Sequence, residues 1–283
     1  MCVPSTKPDI VCVVGAGTMG KGLALELARR GPVKLVTLRH SGDVSAITAD
    51  LRKKLERAKW CTDVDASLAN IHIHTDVSAV SGSKLIIECI IEDVGAKREL
   101  FTSLKPHVRD GSFLATNTSS LSVEALFRGI FPGTHTFGLH FFNPVHAMKL
   151  VEIVRGPETT DEAVEFARKF VASLDKEAVL VKDSPGFIVN RLLIPLLNEA
   201  CKLVDEGVAT VEDIDKSMVL GANHPLGPFA LSDLIGNDIT LNIVKVINER
   251  LPGSSKPAAS LEAAVAENRL GRKSGVGFHS YKK

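Results

Sequence analysis

The stretch VCVVGAGTMG, Val11 to Gly20, constrains this chain more than any other. Ile10 to Val14 is an apolar run of strand length, and Met19, Leu23, Leu27 and Ala28 then recur at helical spacing. The glycines therefore stand in a turn between a strand and a helix. In a GxGxxG at that place Gly15 permits the turn, Gly17 lets backbone approach a pyrophosphate, and Gly20 packs helix on strand. The helix N-terminus faces the anion, and Thr18 and Met19, between the glycines, belong to the same ligand-facing loop. A plain glycine-rich turn would account for the glycines alone, but not for strand, helix and next strand falling in step. The expected ligand is a dinucleotide.

Val33 to Leu38 supplies that next strand, and its tip bears on which dinucleotide. In NAD sites an acid there accepts from the ribose 2′-hydroxyl and would repel a 2′-phosphate. Here the tip reads Leu38, Arg39, His40, Ser41, with no acid until Asp43. A guanidinium pairs with a phosphate through two parallel hydrogen bonds, and Ser41 offers one more. The expected cofactor is NADP(H); NAD(H) is the alternative if Arg39 merely ends a strand in solvent.

Further strand-like runs are Leu85 to Ile91, Ser112 to Thr116, Thr136 to Phe142, Leu150 to Val154 and Ala178 to Val181. Helical patterns such as Lys97 to Leu104 and Asp161 to Leu174 lie between many of them. This alternation predicts an α/β fold, a Rossmann-type, doubly wound, mostly parallel sheet covered on both faces. After Asp183-Ser-Pro-Gly186 strand-like alternation largely disappears, and apolar residues recur at three and four. Helices are expected over Ile188 to Glu206, Val211 to Leu220, Ala230 to Ile235, Ile239 to Arg250 and Ser260 to Asn268, with Pro-Gly breaks between several. The chain thus divides into a nucleotide-binding domain, 1–183, and an all-helical C-terminal domain, 184–283.

Composition removes several function classes. With 283 residues, a net charge of +1 and only 5% aromatic residues, the chain is neither a polyanion binder nor an aromatic nucleic-acid platform. Its greasiest run, FIVNRLLIPLLNEACKLV, is interrupted by Asn190, Arg191, Asn198 and Glu199, and the N-terminus lacks an apolar signal core, so no membrane partner is expected. Cys2, Cys12, Cys61, Cys89 and Cys201 form no CxxC pair, and the histidines show no ligand spacing. A reducing cytoplasm and no metal fit these facts best.

Three later segments carry polar residues in apolar company: ATNTSSLS, GLHFFNPVHAMKLVEIV and DSPGFIVNR. His140 follows Leu139 and precedes Phe141 and Phe142 at the carboxyl end of a predicted strand, the ligand edge of an open sheet. If the chain doubles back around His146, positions 140 and 152 fall opposite each other, and Glu152 faces His140. A carboxylate there fixes the ring's tautomer and stabilises the imidazolium. The alternatives are a satisfied core histidine and a solvent-facing acid on an edge strand.

The combination GAGTMG, ATNTSSLS, HFFNP, KLVEIV, DSPGFIVNR and HPLGPFALSDLIGND resembles the 3-hydroxyacyl-CoA dehydrogenases, in particular the bacterial 3-hydroxybutyryl-CoA dehydrogenases, over nearly the whole chain. The resemblance implies an oxidoreductase that interconverts 3-hydroxyacyl and 3-ketoacyl thioesters with a nicotinamide cofactor. It also implies a homodimer joined through the helical domain. Carried over by motif, the catalytic histidine falls on His140, its partner acid on Glu152, the active-site serine on Ser119 and the asparagine on Asn190. Further cofactor contacts fall on Glu92, Lys97 and Asn117. In this scheme His140 exchanges a proton with the substrate oxygen while Ser119 and Asn190 orient it. Ser119 otherwise caps a helix, and Asn190 otherwise marks a helix start.

The sequence departs from the family at two places. Arg39 and its neighbours replace the usual Asp, and the stretch from Ser41 to Ala69 is short where relatives build a helical arm that touches coenzyme A. No serine stands between Ala46 and Cys61, so none of those contacts is transferred. What remains is basic: Arg52, Lys53, Lys54, Arg57 and Lys59, either a solvated helix face or a surface for coenzyme A phosphates or an acidic acyl-carrier protein. A free hydroxy acid as substrate, and a nucleotide-binding scaffold without turnover, are the remaining alternatives. The ending LGRKSGVGFHSY reads as structural, with Gly275 and Gly277 permitting turns.

Overall fold

In the computed structural model, which describes residues 10–38 and 43–281, the run after Ile10 forms β1 (Val11–Val14), and the glycine loop leads into α1 (Thr18–Ala28). Then follow β2 (Val33–Val36), α2 (Val44–Arg57), α3 (Val64–Ala69), β3 (Ile71–His74), β4 (Leu85–Glu88) and α4 (Val94–Leu104). β5 (Phe113–Thr116), α5 (Val123–Phe127), β6 (Thr136–Phe141), β7 (Leu150–Arg155), α6 (Asp161–Ser173) and β8 (Glu177–Lys182) complete the first unit, Met1–Asp183. Its strands form one eight-stranded sheet in the order β3-β2-β1-β4-β5-β6-β7-β8, parallel throughout except where β6 meets β7.

The central strands β4, β5 and β6 are buried at every position, which is why β4 and β5 read in the sequence as short apolar runs that end in a polar residue, while β6 also carries Thr136, Gly138 and His140. Their core joins Val13, Leu35, Ile87, Ala115, Leu139 and Ile153 to apolar residues of α1, α2 and α6. Full burial of each such Leu or Ile contributes roughly 1.5–3 kcal/mol. Several strands stop short of their apolar runs: β2 at Val36, β4 at Glu88 and β6 at Phe141. Beyond those points the chain turns into the loops of the ligand edge. One strand, β3, has no apolar run at all, because IHIH alternates at the sheet's margin. Between Asp43 and Asn70 the chain forms α2 and α3, each capped by an aspartate side chain, Asp43 on Ala46 N–H and Asp63 on Ala66 N–H.

The second unit, Ser184–Lys283, consists of α7 (Val189–Asp205), α8 (Val211–Gly221), α9 (Pro228–Ile235), α10 (Asn237–Arg250) and α11 (Ala259–Ala266). Ile194, Leu197, Phe229, Val244, Ile247 and Leu261 make its core. The C-terminal segment is tied to Asp233, whose carboxylate accepts from Phe278 N–H, His279 N–H and the Tyr281 hydroxyl. Gly275 takes a left-handed φ of +78°. Gly277 is required for a different reason: a Cβ there would strike the Asp233 carboxylate.

Candidate active site

Strand order reverses between β1 and β4, so the carboxyl edge of those strands is where an open sheet of this type takes its ligand. The glycine loop stands at that edge. Gly15 has φ +114°, and a Cβ on it would lie 2.5 Å from the Cys89 carbonyl oxygen. A Cβ on Gly20 would overlap the Gly15 carbonyl. Around Gly17 nothing of the protein lies within 4 Å of such a carbon, so internal packing does not call for glycine there, whereas close approach of a ligand does. Gly17 is also the N-cap of α1, whose first turn, with Thr18 and Met19, has no capping side chain and no acid. Its N–H groups and the helix dipole suit an anion, and the loop fits a dinucleotide pyrophosphate.

The cofactor-selecting residues read from the sequence, Arg39, His40 and Ser41, lie outside the described residues. The nearest following acid is described. Asp43 is committed to α2, its Oδ1 accepting from Ala46 N–H at 3.0 Å and from the Ser45 hydroxyl at 3.1 Å.

Behind the glycine loop lies a buried ionic network. Lys97, 1% exposed on α4, donates to Glu88 Oε1 at 2.6 Å and lies 3.4 Å from Glu92 Oε2. The same Glu88 oxygen accepts from Ile90 N–H, and its other oxygen accepts from the Thr116 hydroxyl at 2.6 Å. Glu92 Oε1 gathers the next loop: Thr118 Oγ1 donates at 2.6 Å, Ser119 N–H at 2.8 Å, Ser119 Oγ at 3.1 Å and Ser120 N–H at 3.1 Å. Burial raises the Glu92 carboxyl, but the Lys97 charge and the bonds from Thr118 and Ser119 outweigh it and leave the group below its ordinary value. Lys97 is thus enclosed among carboxylates, and Ser119 is held by Glu92. Asn117, next to this loop, accepts from Phe141 N–H through Oδ1 at 3.0 Å.

On the adjoining hairpin β6 and β7 pair antiparallel with His140 opposite Glu152. Both are buried, at 5% and 0% exposure, with Nδ1 and Oε2 2.6 Å apart. A carboxylate only accepts, so Nδ1–H donates to Glu152, which in a neutral ring places the lone pair on Nε2. The Phe142 ring lies 4.4 Å from the imidazole, centre to centre, at 51°. The hairpin loop is clamped from below by Lys176, which donates to the Val145 carbonyl at 2.5 Å and the Met148 carbonyl at 2.8 Å. Burial holds that ammonium below the ordinary lysine value, with Glu26 acting in the opposite sense.

The structure therefore brings His140 and Glu152 into contact, and joins Glu92, Lys97 and Ser119 in one network. Asn190 stands in the first turn of α7, in the helical unit. Sequence reasoning missed Glu88 and Lys176. Glu88 had a signal, an acid closing the apolar run LIIE; Lys176 had none. Among the described residues, no group of three or more His, Cys, Asp or Glu is arranged to hold a metal, and no helix is long and apolar enough to cross a membrane.

Comparison with known proteins adds independent findings. The family model "3-hydroxyacyl-CoA dehydrogenase, NAD binding domain" matches residues 10–184, and "3-hydroxyacyl-CoA dehydrogenase, C-terminal domain" matches 186–281. The 3-hydroxybutyryl-CoA dehydrogenase of Clostridioides difficile is 38% identical over 279 residues, 96% of this chain and 99% of the relative. The human mitochondrial hydroxyacyl-coenzyme A dehydrogenase is 39% identical, covering 96% of this chain and 91% of the relative. The crystal structure of (S)-3-hydroxybutyryl-CoA dehydrogenase from Ralstonia eutropha has a TM-score of 0.89 at 35% identity, covering 97% of this chain and 99% of that one.

Proposed function

This chain belongs to the 3-hydroxyacyl-CoA dehydrogenase family and is an NAD(P)-dependent dehydrogenase, and we propose that it interconverts a short-chain 3-hydroxyacyl-CoA and its 3-ketoacyl-CoA, with NADP(H) preferred over NAD(H). The observation that carries this reading is the buried His140–Glu152 pair at 2.6 Å, at the carboxyl end of a strand in the sheet that carries the glycine loop.

The nicotinamide supplies the hydride chemistry. The protein's part is proton transfer and orientation. In the oxidising direction Nε2 of His140 takes the proton of the substrate 3-hydroxyl; in the reducing direction it returns one to the oxygen at C3. Glu152 holds the ring through Nδ1–H, so that Nε2 is the atom that exchanges the proton, and it offsets the charge the ring acquires. Ser119, oriented by Glu92, is a donor to the same oxygen, where charge develops. On its motif alone, Asn190 is assigned the same task. Gly15, Gly17, Thr18, Met19 and Gly20 receive the pyrophosphate. Glu92 faces the cofactor, and Lys97 acts through it.

The NADP preference rests on the lack of an acid between Val36 and Asp43, on the commitment of Asp43 to its own helix, and on Arg39, His40 and Ser41 as partners for a 2′-phosphate. The exposed Lys53, Lys54, Arg57 and Lys59 support an anionic partner at α2, the phosphates of coenzyme A or an acyl-carrier protein. Exposed Leu192 and Leu220 on the helical unit, 72% and 74% accessible, support a homodimer. Cysteines without disulfides, Cys12, Cys61, Cys89 and Cys201, support a reducing compartment such as the cytoplasm.

One assay tests the proposal: turnover of acetoacetyl-CoA with NADPH and with NADH, followed by nicotinamide absorbance, beside the same acyl group on a carrier protein. The proposal expects turnover of the CoA thioester, faster with NADPH. Turnover confined to the carrier-bound substrate would move the assignment to the carrier, and no turnover with either would refute it.

A further inference from the structure

We propose that Asn117 is a positioning residue for His140, its side-chain carbonyl standing in for a strand beside the last residues of β6. The inference rests on the dehydrogenase reading for its kinetic consequence, but its geometry is independent of that reading.

β5 and β6 pair through Leu114↔Thr136, Ala115↔Phe137 and Thr116↔Gly138, and there the ladder ends. β6 continues for three more residues, Leu139, His140 and Phe141, still paired on its other side with β7. On the side that β5 has left, a buried backbone N–H needs a new acceptor. Asn117 provides it. Its Oδ1 accepts from Phe141 N–H at 3.0 Å, while its own backbone N–H donates to the Glu88 carbonyl at 2.8 Å. One residue thus ties the end of β4, behind the glycine loop, to the strand residue that follows His140.

A backbone N–H can only donate, so the atom facing Phe141 is Oδ1 and the amide's orientation is settled by its partner. Nδ2 is turned away from Phe141 and donates to no described residue. Asn117 Oδ1 is therefore spent inside the protein, and any contact with the cofactor implied by the family resemblance has to use Nδ2. The two ends of the amide do different work, which makes them separable by substitution. Asp at 117 keeps an acceptor for Phe141 and has no Nδ2; Ala keeps neither.

The imidazole is already held at Nδ1 by Glu152 and flanked by Phe142. Those contacts set the ring's rotation, whereas the Asn117 bond sets the height of the backbone from which the ring projects. Displacement of a reacting group by about 1 Å costs on the order of 100-fold in rate. Loss of the anchor should therefore appear in kcat rather than in cofactor affinity.

The experiment compares wild type, Asn117→Ala and Asn117→Asp by three readouts: hydrogen exchange at the Phe141 amide, the dissociation constant of reduced nicotinamide, and kcat and KM for acetoacetyl-CoA. In Asn117→Ala the Phe141 amide should exchange faster and kcat should fall by about 10- to 100-fold, with cofactor affinity no lower than in Asn117→Asp, which also lacks Nδ2. In Asn117→Asp the Phe141 protection should return, together with most of the lost kcat. Equal loss of cofactor affinity in both variants with normal Phe141 protection would overturn the proposal in favour of a ligand contact through Nδ2. Unchanged exchange in Asn117→Ala would overturn it outright. If Asn117→Ala does not fold, Asn117→Asp decides alone, because a poorly protected Phe141 amide in that variant contradicts the assignment. Failure of the dehydrogenase reading is recognised separately, as a wild-type enzyme without turnover, and leaves the exchange result to judge the anchor.

Discussion

His140 Nδ1 and Glu152 Oε2 lie 2.6 Å apart, on residues that stand directly opposite each other in the β6–β7 ladder. The register that brings them together is that of one hairpin. Sheet pairing fixes both Cα positions, and the two buried side chains meet across the ladder.

The Glu152→Gln variant tests what the carboxylate does. Glutamine keeps the shape and one acceptor but loses the charge that offsets a protonated ring, and its NH2 group can hold the wrong tautomer. We expect kcat with acetoacetyl-CoA to fall by about 100-fold or more while the cofactor dissociation constant is unchanged. A kcat close to wild type would remove Glu152 from the mechanism.

Lys97 and Glu88 form an ion pair at 1% and 0% side-chain exposure. Breaking such a pair from one side strands a buried charge, so Lys97→Met should lower unfolding stability by about 3–5 kcal/mol. The double variant Lys97→Met/Glu88→Gln should recover part of that loss, as read from urea unfolding, the remainder being the Lys97 charge that Glu92 still lacks. Additive losses would mean that the two residues do not act as a pair.

The depressed carboxyl of Glu92 gives a pH dependence of definite sign. Its native value lies below its unfolded value, so it contributes stability that is complete above the ordinary glutamate range and disappears as pH falls through the native value. The thermal midpoint of the wild type should therefore fall more steeply below pH about 4.3 than that of Glu92→Gln. Parallel pH profiles would show that the carboxylate's partners do not stabilise its charged form.

Cofactor choice is tested at Arg39, three residues after β2 in the sequence. A guanidinium–phosphate bond is a charge-assisted one worth about 1.5–3 kcal/mol, so Arg39→Asp should lower the NADPH-to-NADH ratio of kcat/KM by at least about 10-fold. An unchanged ratio would remove Arg39 from cofactor selection.

Much of this architecture was legible in the sequence, for physical reasons that differ by element. Central strands such as Leu85–Glu88 are buried on both faces and announce themselves as apolar runs. The opposition of His140 and Glu152 was legible because pairing in a hairpin is symmetrical about its turn. β3 was not, since Ile71-His-Ile-His74 at the sheet margin carries too little apolar pattern to stand out. Nor was the burial of Lys97, because lysines on helices ordinarily face water and only the tertiary placement of Glu88 and Glu92 encloses this one. The strands are shorter than their apolar runs, because apolar residues run on into the loops of the ligand edge, as at Ile90 and Ile91 after β4.

The proposed reaction depends on the His140 imidazole carrying the substrate proton. Its most direct test is the rate of acetoacetyl-CoA reduction by His140→Ala at saturating reduced nicotinamide, with cofactor binding measured on the same preparation. Proton transfer by His140 predicts normal cofactor binding and a rate reduced by about 100- to 10,000-fold. A variant that binds cofactor and reduces the thioester at close to the wild-type rate would contradict it.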